Sequence, residues 1–290
     1  MEAAKRVLVY LKKNSVIQRA KFAQSITGYY SGAHERKVLV HCGLDHNKFV
    51  ISDRPFRKSC RVELRRLSPC PISHFSSSQA AAFPEKVQGR EIGVAITVLL
   101  QSANQRVLLI RRSKTLSVFP NAWVPPGGHL EIGEQLFEAG RRELEEETNL
   151  QVHSGNVSWS MLGLWESVYP PALSQGMPQF HHIVMFLLVH SIETHQQLHK
   201  KLRLNELEVS ACLWVDPCLA GRVVGEKDLS ILPSTASITE VKAGVWSQRC
   251  LDLGAVLSTE LVGSEVEERF ISGTKYALGL WLNTLRGYSA

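Results

Sequence analysis

The alternation of apolar and polar positions along the chain predicts short strands over much of its length. Apolar residues spaced two apart and bounded by Gly, Asn and other turn residues are typical of strands with one buried face. On this basis we predict strands at residues 5–11, 37–42, 48–52, 92–100, 106–111, 159–168, 179–190 and 207–215. A polar turn joins 92–100 to 106–111, and we expect these two strands to form a hairpin.

A change of spacing marks the helices. Leu136, Phe137, Gly140 and Leu144 are spaced for one face of a helix, and we expect that face to lie toward the core. Residues 265–269 and 276–286 also have helical spacing. Strand, hairpin, loop, helix and then more strands is the order of an α/β protein in which a helix packs on a mixed sheet.

Charge divides the chain into two unequal parts. The first 90 residues hold 17 Lys and Arg against 6 Asp and Glu, and the rest hold 16 against 21. Basic surface favours polyanions such as nucleic acid, and a merely solvated basic face is the alternative. The cluster in question consists of Arg57, Lys58, Arg61, Arg65 and Arg66.

Composition also suggests a boundary. The segment HFSSSQ at 74–79, followed by an alanine run and Pro84, predicts a linker. We therefore predict three parts: a basic, β-rich N-terminal region at 1–88, a central domain at 89–236 and a helical C-terminal extension at 237–290.

Several protein classes are excluded. A hydrophobic content of 44% and a charged content of 21% are ordinary for a globular protein. No apolar run approaches the roughly 18 residues of a membrane helix, and the apolar stretch at the N-terminus is too short for a signal peptide. The six cysteines are widely spread, which argues against a zinc site or a disulfide framework. We expect reduced thiols and a location in the cytosol or the nucleus.

The richest candidate chemistry lies in the run Arg-Glu-Leu-Glu-Glu-Glu at 142–147. Residues three and four apart share a face of a helix, so Glu143, Glu146 and Glu147 project together. Their carboxylates repel one another, and a divalent cation such as Mg²⁺, which takes oxygen ligands, is a strong reason to hold them there. A solvated, glutamate-rich helix surface is the alternative.

The spacing of the residues around this run favours a cation site over a solvated helix surface. A Pro-Pro-Gly-Gly segment precedes the helix, Glu134 follows Gly128 after five residues, and Arg142 follows Glu134 after seven. With apolar Leu144 and Leu150, this spacing resembles the Nudix hydrolase signature at every defined position except one. The family has Gly where this chain has Asn149, and Asn is the next choice after Gly for the left-handed residue that ends a helix.

The resemblance implies a fold and an activity. It implies a Nudix-type α/β/α sandwich with a mixed β-sheet over roughly residues 90 to 236 of the chain. It also implies hydrolysis of diphosphate linkages in nucleoside diphosphate-linked substrates, with Mg²⁺ or Mn²⁺ as the cofactor.

The resemblance also assigns roles to residues. The metal ligands would be Glu143, Glu146 and Glu147. The catalytic set would be Glu146, Glu143, Arg142 and Glu134, with Arg142 orienting a carboxylate by charge-assisted hydrogen bonds and Glu134 in a supporting role. Gly127 and Gly128 would let the backbone curve tightly and approach the metal cluster.

The general base is left open by the sequence. Family members draw it from the signature itself or from a carboxylate on a later loop, and Glu206 and Glu208 are candidates for such a loop. A solvated turn is the alternative for both. His181 and His182 are candidates for either packing or catalysis, and Phe119 and Trp123 for either core packing or stacking on a base.

The prediction of the substrate rests on weaker features of the sequence. The segment LGLWESVYPPALSQG lacks the element of NADH diphosphatases, and the segment before Gly127 shares only the Arg-Ser opening of the coenzyme A diphosphatase element. The whole chain most resembles family members that act on capped RNA. We therefore predict mRNA cap hydrolysis (decapping) that releases 7-methyl-GDP, with RNA contact through the basic N-terminal region.

Two alternatives stay open. One is a small-nucleotide diphosphatase for ADP-ribose, NADH or a CoA-type substrate. The other is a weakly catalytic nucleotide-binding protein, although a pure binding protein has no need of the complete carboxylate set.

Overall fold

A computed structural model of the chain describes residues 6–32, 35–68, 70–74, 89–152, 157–226, 233–258 and 267–287. The chain forms two compact units. The first consists of Met1–Ile96, Gly128–Ala139 and Met161–Met185, and the second of Thr97–Gly127, Gly140–Ser160 and Phe186–Ala290.

Strands dominate the described residues. They are β1 Leu8–Lys13, β2 Val16–Arg19, β3 Lys37–Asp45, β4 Lys48–Ser52, β5 Cys60–Arg66, β6 Gly93–Gln101, β7 Val107–Arg112, β8 Ala122–Val124, β9 Gly127–His129, β10 Val157–Tyr169, β11 Phe180–Ser191, β12 Val209–Val215, β13 Thr235–Lys242, β14 Val245–Asp252 and β15 Arg269–Phe270. The α-helices are α1 Ile26–Ser31, α2 Leu136–Thr148, α3 His195–Lys201, α4 Pro217–Val224, α5 Leu253–Ser258 and α6 Ser272–Leu285, and short 3-10 turns occur at Pro71–His74 and Leu173–Gln175.

The strands of the first unit form a closed circuit. Their order is β6, β11, β10, β5, β3, β4 and β1, and β1 returns to β6 through the pair Leu8 and Gly93. Strand β1 is parallel to β4, β5 is parallel to β10, and β3 is antiparallel to both β4 and β5. Parallel and antiparallel pairs together confirm the predicted mixed sheet.

Two tight turns set the register of this unit. Asn14 and Ser15 connect β1 to β2, and His46 and Asn47 connect β3 to β4, with all four residues at positive φ. Two-residue hairpins need this left-handed backbone because its twist matches that of the strands. The segment from Phe49 to Ile51 in β4 is buried, which anchors the hairpin to the core.

The second unit is built on antiparallel pairing. β7 pairs with β6, β8 and β12, β13 joins β12, and β14 forms a hairpin with β13, whereas β15 runs parallel to β8. Helix α6 packs against α4 and buries Ala277, Leu278 and Trp281. The Trp281 indole N–H donates to the Gln101 side-chain oxygen at 2.6 Å, which satisfies its one polar atom.

Most predicted elements are present, with shifts of a few residues at their ends. Strand β4 coincides with the predicted 48–52, and α6 confirms the helix expected at 276–286. Strand β5 was not predicted, and neither was the β13–β14 hairpin, so the C-terminal extension is not purely helical. The helix expected at 265–269 is wrong for its described part, because Arg269 begins strand β15.

The predicted division at 1–88, 89–236 and 237–290 stays a prediction; the two compact units group segments of the chain in a different way. The linker expected after His74 lies outside the described residues. Within the described residues, no helix combines the length and apolar character needed to cross a membrane.

Candidate active site

Helix α2 carries the candidate carboxylates and ends as its sequence predicts. Ala139 and Leu144 are fully buried and hold the helix against the core. The Thr148 hydroxyl donates to the Leu144 carbonyl at 2.5 Å within the last turn. Asn149 then adopts φ 58°, the left-handed conformation expected of the residue in the Gly position of the signature.

The three candidate metal ligands differ in exposure. Glu147 is 3% exposed, the Glu143 side chain is 13% exposed, and the Glu146 side chain is 55% exposed. Arg142 contacts two of them through Nη1, which lies 2.8 Å from Glu143 Oε1 and 3.2 Å from Glu146 Oε2. Arg142 therefore holds the inward and the outward carboxylate in fixed positions relative to each other.

Glu147 is buried with little compensation for its charge. The backbone N–H of Gly127 donates to its Oε2 at 2.9 Å. Burial raises the pKa of Glu147 to about 8; the Gly127 hydrogen bond and Arg112 work against this shift, and the charges of Glu143 and Glu208 add to it. A carboxylate in these surroundings favours either a proton or a cation.

Glu143 shares this environment. Burial raises its pKa, the Arg142 guanidinium opposes the shift, and the charges of Glu146 and Glu208 add to it. Glu208, which precedes β12, is thus close enough to act on both Glu143 and Glu147. Glu206 differs, because its Oε1 accepts the Gly244 N–H at 2.7 Å and holds the turn of the β13–β14 hairpin.

Arg112 is a member of the cluster that the sequence did not single out. It ends β7, next to Val209 of β12, and its Nε donates to the Val118 carbonyl at 3.0 Å. Burial lowers its pKa, and the charges of Glu147 and Glu208 oppose that shift. The only signal in the sequence is a pair of arginines at the end of an apolar run, which is common at strand ends.

The donor chemistry of this cluster fits a divalent cation. Three carboxylates carry hard oxygen atoms, which Mg²⁺ and Mn²⁺ bind, and two of them have pKa values raised by burial. As the side chains stand, no three His, Cys, Asp or Glu residues in the described part of the chain converge closely enough to hold an ion. Helix α2 presents the three glutamates on neighbouring positions, and their flexible side chains can turn toward a common ion.

The remaining predicted residues lie at the entrance to the helix. Glu134 belongs to the first unit, and its Oε2 accepts the Glu131 N–H at 3.0 Å in the turn before α2. Gly127 and Gly128 are part of strand β9, so the expected sharp loop is an extended segment there. The backbone at Gly127 nevertheless approaches a carboxylate, that of Glu147.

One aromatic candidate, Trp123, and one histidine candidate, His182, contact other side chains within the fold. Trp123 is fully buried, stacks on Phe270 with ring centroids 6.2 Å apart, and donates its indole N–H to Glu268 at 3.0 Å. Stacking of Trp123 on a base is therefore wrong, and core packing is its role. His182 Nε2 lies 3.2 Å from His129 Nε2, and burial lowers the pKa of His182 to about 3.

The first unit contains a second buried carboxylate that the sequence did not reveal. Glu166 is 1% exposed and accepts the N–H groups of Ile26 and Thr27 at 2.7 and 2.9 Å. His181 Nε2 lies 3.2 Å from Glu166 Oε1, close enough for an ion pair but not aligned as a hydrogen bond. Burial alone would raise the pKa of Glu166, but these partners together lower it.

Arg66 does not belong to the basic cluster predicted at 57–66, because it is buried. It is 4% exposed and its Nη1 donates to Ser25 Oγ at 2.7 Å. A solvated face and a polyanion surface are therefore both wrong for Arg66. Arg57, Lys58, Arg61 and Arg65 are exposed.

Comparisons with known proteins show which family the chain is similar to. The family model described as "NUDIX domain" matches residues 91–228. A Xenopus laevis protein named m7GpppN-mRNA hydrolase NUDT17 is 53% identical over 288 residues, which are 98% of this chain and 97% of that protein. Proteins of the same name from Danio rerio and Bos taurus are 44% and 42% identical, over 100% and 98% of this chain and 99% and 97% of their own lengths.

Proposed function

The chain belongs to the Nudix family, and on that premise we propose that it is a metal-dependent hydrolase that cleaves a diphosphate linkage in the mRNA cap and releases 7-methyl-GDP. The relatives named m7GpppN-mRNA hydrolase support this substrate, because their likeness extends over nearly the whole of both chains. We place the activity in the cytosol or the nucleus, where capped RNA occurs.

One observation carries the proposal. Glu147 is buried beside the charges of Glu143 and Glu208, and it accepts the Gly127 N–H and has Arg112 as a nearby cation. Burying like charges together destabilises a fold unless a cation or a proton neutralises them. A bound cation would neutralise these charges, and carboxylate oxygens are ligands that divalent cations prefer.

The proposed site residues divide into metal ligands and residues that position them. Glu143, Glu146 and Glu147 would hold Mg²⁺ or Mn²⁺. The bound ion would neutralise phosphate charge and acidify water. Arg142 fixes Glu143 and Glu146, and Glu134 supports the turn at the start of α2.

The loop before the helix completes the proposed site. Gly127 lies in an extended segment, and its backbone N–H donates to the Glu147 carboxylate. No side chain at position 127 takes part in this contact. Gly128 continues the same strand. We propose that these two glycines keep the backbone close to the carboxylates.

We propose Glu208 as the general base rather than Glu206. Glu208 is exposed to solvent and acts electrostatically on Glu143 and Glu147, so it can take a proton from water beside them. Glu206 holds the Gly244 turn instead.

The first unit offers a surface for the RNA body. Three lysines lie over aromatic rings there: Lys12 over Phe56, Lys13 over Tyr29 and Lys48 over Tyr10, at 5.0 to 5.7 Å from the ring centroids. Lysines that contact phosphates and aromatic rings that stack on bases are the two components of single-strand recognition. We propose that RNA contacts this unit, with no sequence preference.

The test uses capped RNA labelled in the cap and a panel of small nucleotides, including ADP-ribose, NADH and a CoA ester, with Mg²⁺ or Mn²⁺. Release of 7-methyl-GDP by the wild type and its loss in Glu147→Gln are expected. Glu145→Gln is the matched control, because Glu145 lies on the same helix and accepts a hydrogen bond from the Gln151 side chain, away from the proposed metal ligands. Turnover of the small nucleotides alone would contradict the cap substrate, and no turnover at all would contradict the enzyme.

The RNA contact is tested separately. Affinity of the Glu147→Gln variant for capped RNA should fall steeply as salt rises, because released counterions drive phosphate binding. Lys12→Gln combined with Lys48→Gln should flatten that slope. A slope that is flat in the parent variant would remove the RNA role of the first unit and leave the hydrolase proposal intact.

A further inference from the structure

Three sulfur atoms meet in the first unit, and none of them belongs to a residue assigned a role above. Cys42 of β3, Cys60 of β5 and Met161 of β10 come from three strands that are neighbours in the sheet order. Cys42 and Cys60 are directly paired across β3 and β5, and the Cys60 Sγ also lies 3.6 Å from the Cys42 carbonyl oxygen. The Met161 Sδ lies 3.5 Å from Cys42 Sγ and 3.4 Å from Cys60 Sγ.

The type and number of ligands limit what this cluster binds. Zinc in structural sites takes four ligands, and no third His, Cys, Asp or Glu joins the two cysteines among the described residues. Thiolate and thioether sulfurs are soft ligands and select Cu(I) among the first-row metals. With metal–sulfur bonds of about 2.3 Å, three sulfurs in a plane around one ion stand about 4 Å apart. Met161 Sδ would therefore have to move away from each thiol sulfur by roughly half an ångström, which its flexible side chain allows.

Access and protonation are compatible with ion entry. Cys42 is fully buried, whereas Cys60 and Met161 are partly exposed, so an ion can approach from their side. The neighbouring Cys42 thiol lowers the pKa of the Cys60 thiol, against the effect of burial. Thiolates, not thiols, bind metals.

We propose that Cys42, Cys60 and Met161 form a three-coordinate binding site for one Cu(I) ion. Binding replaces two thiol protons by one monovalent cation, so two protons are released and the oxidation state of copper and sulfur does not change. The site is separate in sequence from the carboxylates of α2 and gives this chain a binding function beyond hydrolysis.

The test is an anaerobic titration of the full chain with Cu(I) held by a chromophoric chelator, with the sulfur count read by X-ray absorption. The wild type should take one ion from the chelator, bound to three sulfurs. Met161→Leu and Cys60→Ser should each weaken binding by at least about 100-fold, since loss of a direct ligand costs no less than loss of an outer-shell partner. Each variant is checked for folding by circular dichroism.

The matched control is the double variant Cys218→Ser, Cys250→Ser, which removes the two exposed cysteines of the second unit. It should bind Cu(I) as the wild type does. Equal binding by wild type, Met161→Leu and Cys60→Ser would overturn the proposal. So would loss of binding in the control, which would place the ion at the surface cysteines, and so would failure of the wild type to compete with the chelator. Because both active-site and copper-site variants keep the other site intact, failure of one proposal is distinguishable from failure of the other.

Discussion

Glu147 and Glu166 are both buried carboxylates, 3% and 1% exposed, yet their surroundings have opposite effects. Glu166 accepts two backbone N–H groups at the start of α1 and lies beside His181, and its pKa is lowered despite burial. Glu147 accepts one backbone N–H, that of Gly127, and burial among like charges raises its pKa to about 8.

The difference separates a structural role from a functional one. The protein supplies Glu166 with two backbone N–H donors and a neighbouring imidazole, so its charge is accommodated within the fold. It supplies Glu147 with one N–H and Arg112 but also with the charges of Glu143 and Glu208, and the pKa of Glu147 is raised in spite of the first two. Perturbed pKa values concentrate at functional sites, but the direction of the shift and the partners behind it decide which carboxylate is the candidate.

The largest expected effect comes from Glu147→Gln. The amide keeps an acceptor for the Gly127 N–H but loses the charge. Loss of a metal ligand removes several kcal/mol of transition-state stabilisation, on the order of a 1,000-fold fall in kcat. Stability should be unchanged or increased, because a buried, poorly compensated charge is removed. Single-turnover decapping rates and thermal unfolding measure the two effects, and a large loss of stability would assign Glu147 the same role as Glu166.

Glu208→Gln should have the next largest effect. If Glu208 takes the proton from water, kcat should fall by about 100-fold or more. Glu206→Gln is its control, since Glu206 bonds the Gly244 turn, and it should leave kcat unchanged. A comparison of pH–rate profiles checks the assignment, because loss of the base removes the acidic limb. Equal rates in the two variants would place the base elsewhere.

Glu166→Gln should reverse the pattern of Glu147→Gln. The amide satisfies only part of the N–H set at Ile26 and Thr27 and leaves His181 without its anion. We expect a loss of about 3 kcal/mol in the free energy of unfolding, with metal binding retained. Urea unfolding monitored by circular dichroism measures the change. A variant of Glu166 that unfolds like the wild type would contradict a structural role.

The same variant has a distinct pH dependence. The pKa of Glu166 in the folded protein lies below its ordinary value of 4.5, so its stabilisation is fully present above pH 4.5 and is lost as pH falls through the folded value. The wild type should therefore lose stability in that acidic range, and Glu166→Gln should lose less. Unfolding midpoints measured from neutral pH downward test this, and parallel curves would refute it.

Arg142→Lys should have the smallest effect. A lysine has a point charge in place of the planar guanidinium that now contacts both Glu143 and Glu146. Because Arg142 contacts two of the proposed metal ligands, we expect about a tenfold loss of metal affinity, as for outer-shell partners elsewhere. Mn²⁺ titration of the variant measures it. A fall in kcat that persists at saturating Mn²⁺ would indicate direct contact with substrate instead.

Local features of the site were predictable from sequence, and long-range ones were not. The helix of the carboxylates, its end at Asn149 and the shared face of Glu143 and Glu147 follow from spacing and from the preference of Asn for left-handed backbone. Glu166 shows the limit, since its partners lie 139 and 140 residues away on α1. No local pattern contains such a pairing.

The same contrast applies to the fold. Strand β4 has continuous burial and clear turn residues before it, so both of its ends were predictable. Strand β5 alternates Arg and Glu with apolar residues. Its charged positions led us to predict a basic surface and no strand. Arg66 of that strand is buried, and its Nη1 donates to Ser25 Oγ, 41 residues earlier in the chain.

The most direct test is Mn²⁺ binding to three full-length proteins near neutral pH: wild type, Glu147→Gln and Glu166→Gln, each shown to be folded. The carboxylate cluster of α2 is predicted to be the cation site, so Glu147→Gln should weaken Mn²⁺ binding by at least about tenfold while Glu166→Gln leaves it unchanged. Equal binding by wild type and Glu147→Gln, or an equal loss in Glu166→Gln, would contradict the assignment of the cation to Glu147 and its neighbours.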